Sequence, residues 1–355
     1  MLLRHNSWIS QAIGIIYSDQ ASTDHPMKAI VYHQYGPPEV LKLQQVDRPV
    51  TGDCDLLIKV LAAEVTKADC ELRSFNFPVS WFKWPLRLAM GISKPRRPIL
   101  GGYFAGEIVE VGKKVTDFAS GDQVFGCAGL RMGAYAEYMC LPDHYTIVAK
   151  PDNLSFEQAA AVPLGGLNAL HFLNKAMIKK GEKVLINGAG GSIGSFGVHI
   201  AKARGAEVTA VDSGIKESML REIGVDHFIN YENEDFAEHG QRYHVILSMV
   251  AGTSYARAIK LLEPGGRYLI ANPRLSDMFN AAITNWTSDK TVVFEFAGEK
   301  KKELKELKAM IEAGRINPVV DRIYPMDQVV EAHHRVEREL RLGSVVLSMK
   351  SSADH

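Results

Sequence analysis

The run Lys183-Val-Leu-Ile-Asn-Gly188-Ala-Gly190-Gly191-Ser192-Ile193-Gly194-Ser-Phe-Gly197 reads as a strand that enters a glycine turn and leaves as a helix through Arg204. In that context backbone N–H groups and the positive end of a helix can hold a pyrophosphate without help from any side chain. The spacing is Ala-x-Gly-x-x-Gly (Ala189, Gly191, Gly194), with alanine at the first position of the usual fingerprint. A second strand ends at Val211-Asp212, about 20 residues beyond Gly191, where a carboxylate reaches the ribose hydroxyls of a bound dinucleotide. Ser213 and Lys216 follow at once, and a lysine there neutralises the 2′-phosphate that Asp212 alone would repel. The choice between NADH and NADPH therefore stays open on these residues. The competing account is a turn whose glycines serve only close helix–strand packing, with Asp212 capping the next helix. The alternating units that follow favour the dinucleotide.

Those units need a scaffold, and the chain is long enough for one. Its 355 residues suggest two domains. Hydrophobic residues make up 46% and charged residues 23%, which excludes disordered and collagen-like chains. Lys plus Arg and Asp plus Glu balance at 41 each, so sequence-independent binding of nucleic acid is not expected. Four cysteines (Cys54, Cys70, Cys127, Cys140) fit neither a disulfide framework nor a zinc ribbon and point to a reducing, cytoplasmic setting. No apolar run has the ~18 residues that span a bilayer.

From Met27 to Met139 short strands alternate with glycine turns (Lys28–His33, Leu41–Val46, Asp55–Ala62, Gly106–Val111, Gln123–Phe125, Ala134–Met139), the pattern of a small barrel or sandwich. Residues 1–26 read as an N-terminal extension without regular structure. Residues 74–98 interrupt the strands with Phe75, Phe77, Trp81, Phe82 and Trp84 among prolines and basic residues. We expect these aromatics to pack the excursion onto its own domain rather than to meet a membrane or nucleic acid. After Pro151, Ser155 caps a helix and a second helical stretch covers Asn168–Met177. Strands at Lys183–Asn187, Glu207–Val211, His227–Asn230, His244–Ser248 and Arg267–Ala271 then alternate with helices, which means an α/β fold with a parallel sheet. Near the end, Leu304, Leu307 and Ile311 line a helix stopped by Gly314, and Ser344–Ser348 is a last strand.

The order and spacing of several segments resemble the medium-chain dehydrogenase/reductase superfamily, and within it the zinc-free quinone oxidoreductase-like branch. They are Met27-Lys-Ala-Ile-Val, Thr66-Lys-Ala-Asp69, Leu100-Gly101-Gly-Tyr-Phe-Ala-Gly106, Gly121-Asp-Gln-Val-Phe-Gly126, Glu157-Gln-Ala-Ala-Ala-Val-Pro163, the turn at 188–194, Gly224-Val-Asp226, Leu262-Glu-Pro-Gly-Gly266 and Gly343-Ser-Val-Val346. The resemblance implies a GroES-like β domain (27–150 and 295–349) with a doubly wound Rossmann domain (151–294) inserted into it. It also implies a homodimer paired through the strand Thr291–Phe296.

Zinc-dependent relatives carry a Gly-His-Glu motif where this chain has Gly101-Gly102-Tyr103, so no metal site is expected, and His333-His334 reads as helix surface. The resemblance places cofactor phosphates at Gly190, Gly191, Ser192 and Ile193. The adenosine end lies near Asp212, Ser213, Lys216 and Tyr231, and the nicotinamide near Gly166, Asn168, Ala271 and Asn272. Thr66, Asp69, Glu71 and Tyr103 would line the pocket of a small-molecule substrate, with Thr66, Glu71 and Tyr103 as the catalytic candidates. Tyr103 reads equally as a hydrogen-bond donor to the reacting oxygen and as core packing. The implied activity is hydride transfer from NADPH or NADH to a quinone or an α,β-unsaturated carbonyl. Alcohol dehydrogenation and cofactor binding without turnover are the alternatives.

Overall fold

The computed structural model describes residues 22–78, 83–236, 238, 240–295 and 297–352. Six strands form a parallel sheet in the order His227–Asn230, Glu207–Asp212, Lys183–Asn187, Tyr243–Ser248, Leu262–Ile270, Thr291–Phe294. Strands Lys183–Asn187 and Glu207–Asp212 are buried at nearly every position because helices cover both faces. The order reverses between Lys183–Asn187 and Tyr243–Ser248, and such a switch point opens a crevice at the carboxyl ends of the strands.

The helix Ser192–Ala203 begins at that crevice, and glycine alone permits its approach. Gly188 adopts φ +83°, and a Cβ on Gly194 would lie 2.6 Å from the Ala189 Cα and closer still to the Gly188 carbonyl oxygen. Behind it, the helix Val162–Ala176 starts earlier than the expected Asn168. Pro163 falls in its first turn, where a missing N–H leaves no bond unmade. Its two consecutive glycines are contact points: a Cβ on Gly165 would meet Ser192 Oγ at 2.6 Å, and one on Gly166 would meet Leu307 Cδ1 at 2.8 Å. The capping box expected at Ser155 closes on Gln158, in front of helix Phe156–Ala160.

A second, seven-stranded sheet takes strands from both sides of the first. Val320–Pro325 and Ser344–Ser348 continue into Asp55–Val65, Tyr103–Val111, Gln123–Cys127 and Ile147–Ala149, and Tyr138–Pro142 also pairs with Asp55–Val65. The closing contact is antiparallel, with Val345 opposite Val65 and Val346 opposite Glu64. A two-stranded ribbon pairs Ser22–Val31 with Lys42–Arg48. It starts five positions before Met27; residues 1–21 lie outside those described. One buried cluster, including Ala105, Phe125, Leu170, Val184, Leu307 and Val346, runs through both sheets, so the two packing units share a core.

Two expectations need correction. His333 is fully buried, not on the helix surface: its Nδ1 lies 3.3 Å from Cys70 Sγ and 3.3 Å from an Arg73 guanidinium nitrogen, because helix Val329–Glu337 turns that face onto helix Lys67–Ser74. In the 74–98 excursion, Phe75 and Phe77 do pack inward, edge-on to each other, with Tyr35 against Phe75. Trp84 does not; it is 77% exposed on helix Lys83–Met90. Trp81 and Phe82 lie outside the described residues. Among the described residues no helix is long and apolar enough to cross a membrane.

Gly194→Ala tests the close approach. Its extra methyl meets backbone, which cannot step aside as a side chain can, so we expect a loss of roughly 1–3 kcal/mol in denaturant unfolding. Gly314→Ala, in open space but at φ +67°, serves as the comparison for backbone strain alone.

Candidate active site

The turn Gly188–Gly194 lies where the two sheets meet. Gly343 donates its N–H to the Gly190 carbonyl at 2.9 Å, Ser344 Oγ donates to Ser192 Oγ at 3.0 Å, and a guanidinium nitrogen of Arg341 lies 3.6 Å from where a Gly191 Cβ would be. The segment returning to the seven-stranded sheet thus carries a cation onto the glycine turn. Arg341 is held by Glu339 at 2.7 Å and by the Val336 carbonyl at 2.8 Å. It escaped the sequence reading; its only signal is its place just before Gly343-Ser-Val-Val.

Asp212 and Lys216 are brought to the turn in a different arrangement from the one their spacing suggests. Asp212 is buried and accepts the N–H of Gly190 at 2.7 Å and that of Ser213 at 2.9 Å. Lys216 is also buried and sets its ammonium 3.0 Å from the same carboxylate, with its stem against Gly190. The pair therefore neutralises itself and buttresses the turn. Ser213 is buried beside it, and Tyr231 is exposed at the outer end.

At the inner end, Ala271 is half-buried with its N–H on the Ser248 carbonyl, and Asn272 is exposed with its amide on the Met249 carbonyl at 2.8 Å. The Asn168 amide is bound to its own helix, at the Leu164 carbonyl. Gly166 faces Leu307, whereas the neighbouring Gly165 abuts Ser192 and was overlooked because a glycine pair in a helix does not show which member makes the contact.

The substrate-side residues sit at the start of helix Lys67–Ser74. Thr66 and Asp69 form a capping box: Thr66 Oγ1 donates to Asp69 Oδ2 at 2.6 Å, the Thr66 N–H donates to the same oxygen at 3.0 Å, and the Asp69 N–H donates to Thr66 Oγ1 at 3.0 Å. Asp69 Oδ1 reaches across to the Gly101 N–H at 3.2 Å and so ties the loop before Tyr103 to this helix. Desolvation pushes the Asp69 pKa up, against these hydrogen bonds. Burial also lifts Glu71 to about 7, with Lys67 opposing. Tyr103 is half-buried, opposite Cys127 in the sheet; enclosure of its hydroxyl, reinforced by Glu299, raises its pKa well above the ordinary value.

Glu64 is a further residue that no motif singles out. It is 1% exposed, its Oε2 has no hydrogen-bond partner, and desolvation lifts its pKa to about 8 although the Ser344 and Ser192 hydroxyls favour the charged form. Flanked by Ala63 and Val65, it reads from the sequence as a polar residue facing away from an apolar side, and only the packing of strand Asp55–Val65 on both faces buries it.

A β domain closed onto a doubly wound parallel sheet by a glycine turn defines the fold class of the molecule. Residues 52–152 match the family described as Alcohol dehydrogenase GroES-like domain, and residues 223–347 match that described as Zinc-binding dehydrogenase. The Quinone oxidoreductase of Sus scrofa is 31% identical over 325 residues, covering 87% of this chain and 94% of its own. The 2-methylene-furan-3-one reductase of Solanum lycopersicum is 29% identical over 351 residues, covering 95% and 83%. The solved structure of the quinone oxidoreductase from Coxiella burnetii superposes with a TM-score of 0.81 at 29% identity, covering 92% of this chain and all of that one. The chain belongs to the medium-chain dehydrogenase/reductase superfamily, a family of NAD(P)H oxidoreductases.

The residues fit such a cofactor: a Cβ on Gly191 would meet nothing closer than 3.6 Å, and the group at that distance is the Arg341 guanidinium, a cation suited to a phosphate. Among the described residues no three His, Cys, Asp or Glu side chains converge, and Cys70 is engaged with His333.

Glu64 predicts a pH dependence of stability. A carboxyl whose pKa is raised on folding stabilises the fold most below its unfolded pKa of 4.5, and that contribution is lost as pH rises to about 8. Glu64→Gln keeps the shape and cannot ionise. We expect it to match the parent near pH 5 and to exceed it above pH 8 by on the order of 2–4 kcal/mol, read from urea unfolding at the two pH values.

Proposed function

We propose that this protein is a zinc-independent NADPH-dependent reductase that passes hydride to an already electrophilic acceptor, a quinone or an α,β-unsaturated carbonyl. The observation that carries the reading is the set of groups at the junction. Tyr103 offers a hydrogen bond and Glu71 a proton, Thr66 and Asp69 tie down the loop before Tyr103, and no ligand set for a Lewis acid converges there among the described residues. An alcohol needs a metal or a strong base to lose its hydride, whereas a conjugated carbonyl needs only orientation and a donor to the oxygen that gains charge. The names of the similar proteins from Sus scrofa and Solanum lycopersicum support the same acceptor class.

The bound cofactor supplies the hydride; the chain supplies the rest. Gly190 to Ile193 and Arg341 hold the phosphates, the shared core excludes water, and Tyr103, kept protonated by burial, donates to the acceptor oxygen. Glu71, its pKa lifted to about 7 by burial, holds a proton over part of the neutral range and is the second proton source of the proposal. Thr66 acts through its bond to Asp69, which fixes the loop carrying Tyr103.

NADPH is favoured over NADH because Asp212 is turned inward and neutralised, so it neither repels a 2′-phosphate nor presents itself to ribose hydroxyls. Four free cysteines accord with a reducing cytoplasm. A homodimer is supported by the edge strand Thr291–Phe294 and by Leu275, Phe279, Ile283 and Trp286, which line an exposed face of helix Leu275–Thr287.

Binding titrations with NADPH and NADH, followed by turnover with a panel of quinones and enones, test the assignment. We expect tighter NADPH binding and acceptor-dependent oxidation that Tyr103→Phe lowers by roughly 10²-fold in kcat. Tight cofactor binding without oxidation by any acceptor would instead mark a binding protein. In Lys216→Met the Asp212 carboxylate loses its counter-charge, and NADPH affinity falls about tenfold relative to NADH. Trp286→Glu, at a side chain 88% exposed, yields a monomer by light scattering with the fold intact.

A further inference from the structure

The chain is neutral overall, yet no Asp or Glu occurs between Glu71 and Glu107, while Lys83, Arg87, Lys94, Arg96 and Arg97 all do. In the structure this stretch is a built platform. Leu86 and Met90 turn inward from helix Lys83–Met90. The Arg87 guanidinium stacks over Tyr35 at 4.3 Å and Phe75 at 4.2 Å, and its Nε donates to the Ile92 carbonyl at 2.7 Å. Gly91, at φ +122°, lets the chain turn back so that the Arg96 N–H meets the Met90 carbonyl at 2.8 Å. Trp84 and Leu88, one turn apart on the helix, and Ile92 just beyond it are 77%, 59% and 60% exposed, and Lys83, Lys94 and Arg96 of the same stretch are exposed as well. Arg97 bonds the carbonyl of Leu130, itself exposed, and so carries the apolar face toward the turn Gly129–Arg131.

We propose that this face docks on the surface of an anionic lipid bilayer. Exposed apolar side chains interspersed with cations along a short, anchored segment match the layering of headgroups over acyl chains. The aliphatic stems of the lysines and arginines can follow Trp84 and Leu88 inward while their charges stay at phosphate level. A second copy of the chain is a poor occupant, because two basic faces repel. A nucleic acid would use the cations and leave the three large apolar side chains in water. The docked platform leads directly into Leu100, Gly101 and Tyr103, so an apolar acceptor of the class proposed above would reach the site from the membrane. The docking itself does not depend on that acceptor.

Full-length protein is sedimented with vesicles of equal parts phosphatidylglycerol and phosphatidylcholine, and with phosphatidylcholine alone, at low and high salt. We expect retention on the anionic vesicles at low salt, weakened by salt and absent on the neutral ones. Lys94→Ala with Arg96→Ala should lower the partition constant about 25-fold, at about fivefold per charge. Trp84→Ser with Leu88→Ser should abolish retention, with NADPH affinity and thermal midpoint unchanged as evidence of an intact fold. Absence of retention on anionic vesicles, equal retention on neutral ones, retention indifferent to both pairs of substitutions, or tighter binding to a single-stranded RNA probe than to the vesicles would each overturn the proposal. Because no acceptor enters the assay, its failure is distinct from a failure of the assigned reaction.

Discussion

The structure depends on one hydrogen bond between two pieces of backbone: the Gly343 N–H on the Gly190 carbonyl. It joins the return segment of the seven-stranded sheet to the glycine turn of the parallel sheet, and it can form only because neither residue has a Cβ. A methyl on Gly343 would lie 2.8 Å from the Val319 Cβ, and one on Gly190 would strike the Lys216 stem. Three functional features follow from this contact. Arg341 is delivered to Gly191, Ser344 is delivered to Ser192, and Glu64, opposite Val346 in the adjoining strand, is sealed beneath both. The proposed phosphate site therefore draws on residues of both sheets.

Charge is handled locally in a chain with no net charge. Asp212 and Lys216 cancel each other beside the turn, Asp69 is distributed over a helix cap and the Gly101 N–H, and Glu64 avoids ionisation by burial. Each is a different answer to the same difficulty, that a carboxylate removed from water must be paired, hydrogen-bonded or protonated. The result is a junction with protons available near neutral pH and little free negative charge to oppose an anionic cofactor.

The strands of the parallel sheet were largely legible because each is a short apolar run bounded by turn residues, a pattern dictated by burial on both faces. Lys183–Asn187, His227–Asn230 and Ser344–Ser348 fall where the sequence places them, Glu207–Asp212 and Tyr243–Ser248 each gain one residue, and Leu262–Ile270 starts five residues before the expected Arg267. The helix Val162–Ala176 starts six residues before the expected Asn168 and runs through Pro163 and the glycine pair at 165–166, whose close neighbours Ser192, Phe196 and Leu307 leave no room for larger side chains there. His333 is likewise decided by its neighbours. A histidine pair on a polar helix looks exposed until a second helix, bearing Cys70 and Arg73, packs against one member of the pair.

By itself the sequence determined the class of the molecule: the glycine turn, the strand periodicity and the ordered family segments are local or sequential properties, encoded in spacing. Which way each side chain faces across a gap was decided only by the tertiary structure. Asp212 could reach outward to a ribose or inward to a turn, and its direction is set by Gly190, Ser213 and Lys216 together. Trp84 could pack inward like Phe75 or face water, and its direction is set by the anchoring of Arg87 and the turn at Gly91. Glu64 and Arg341 are separated by most of the chain and meet the same helix start, a coincidence that spacing along a chain cannot express.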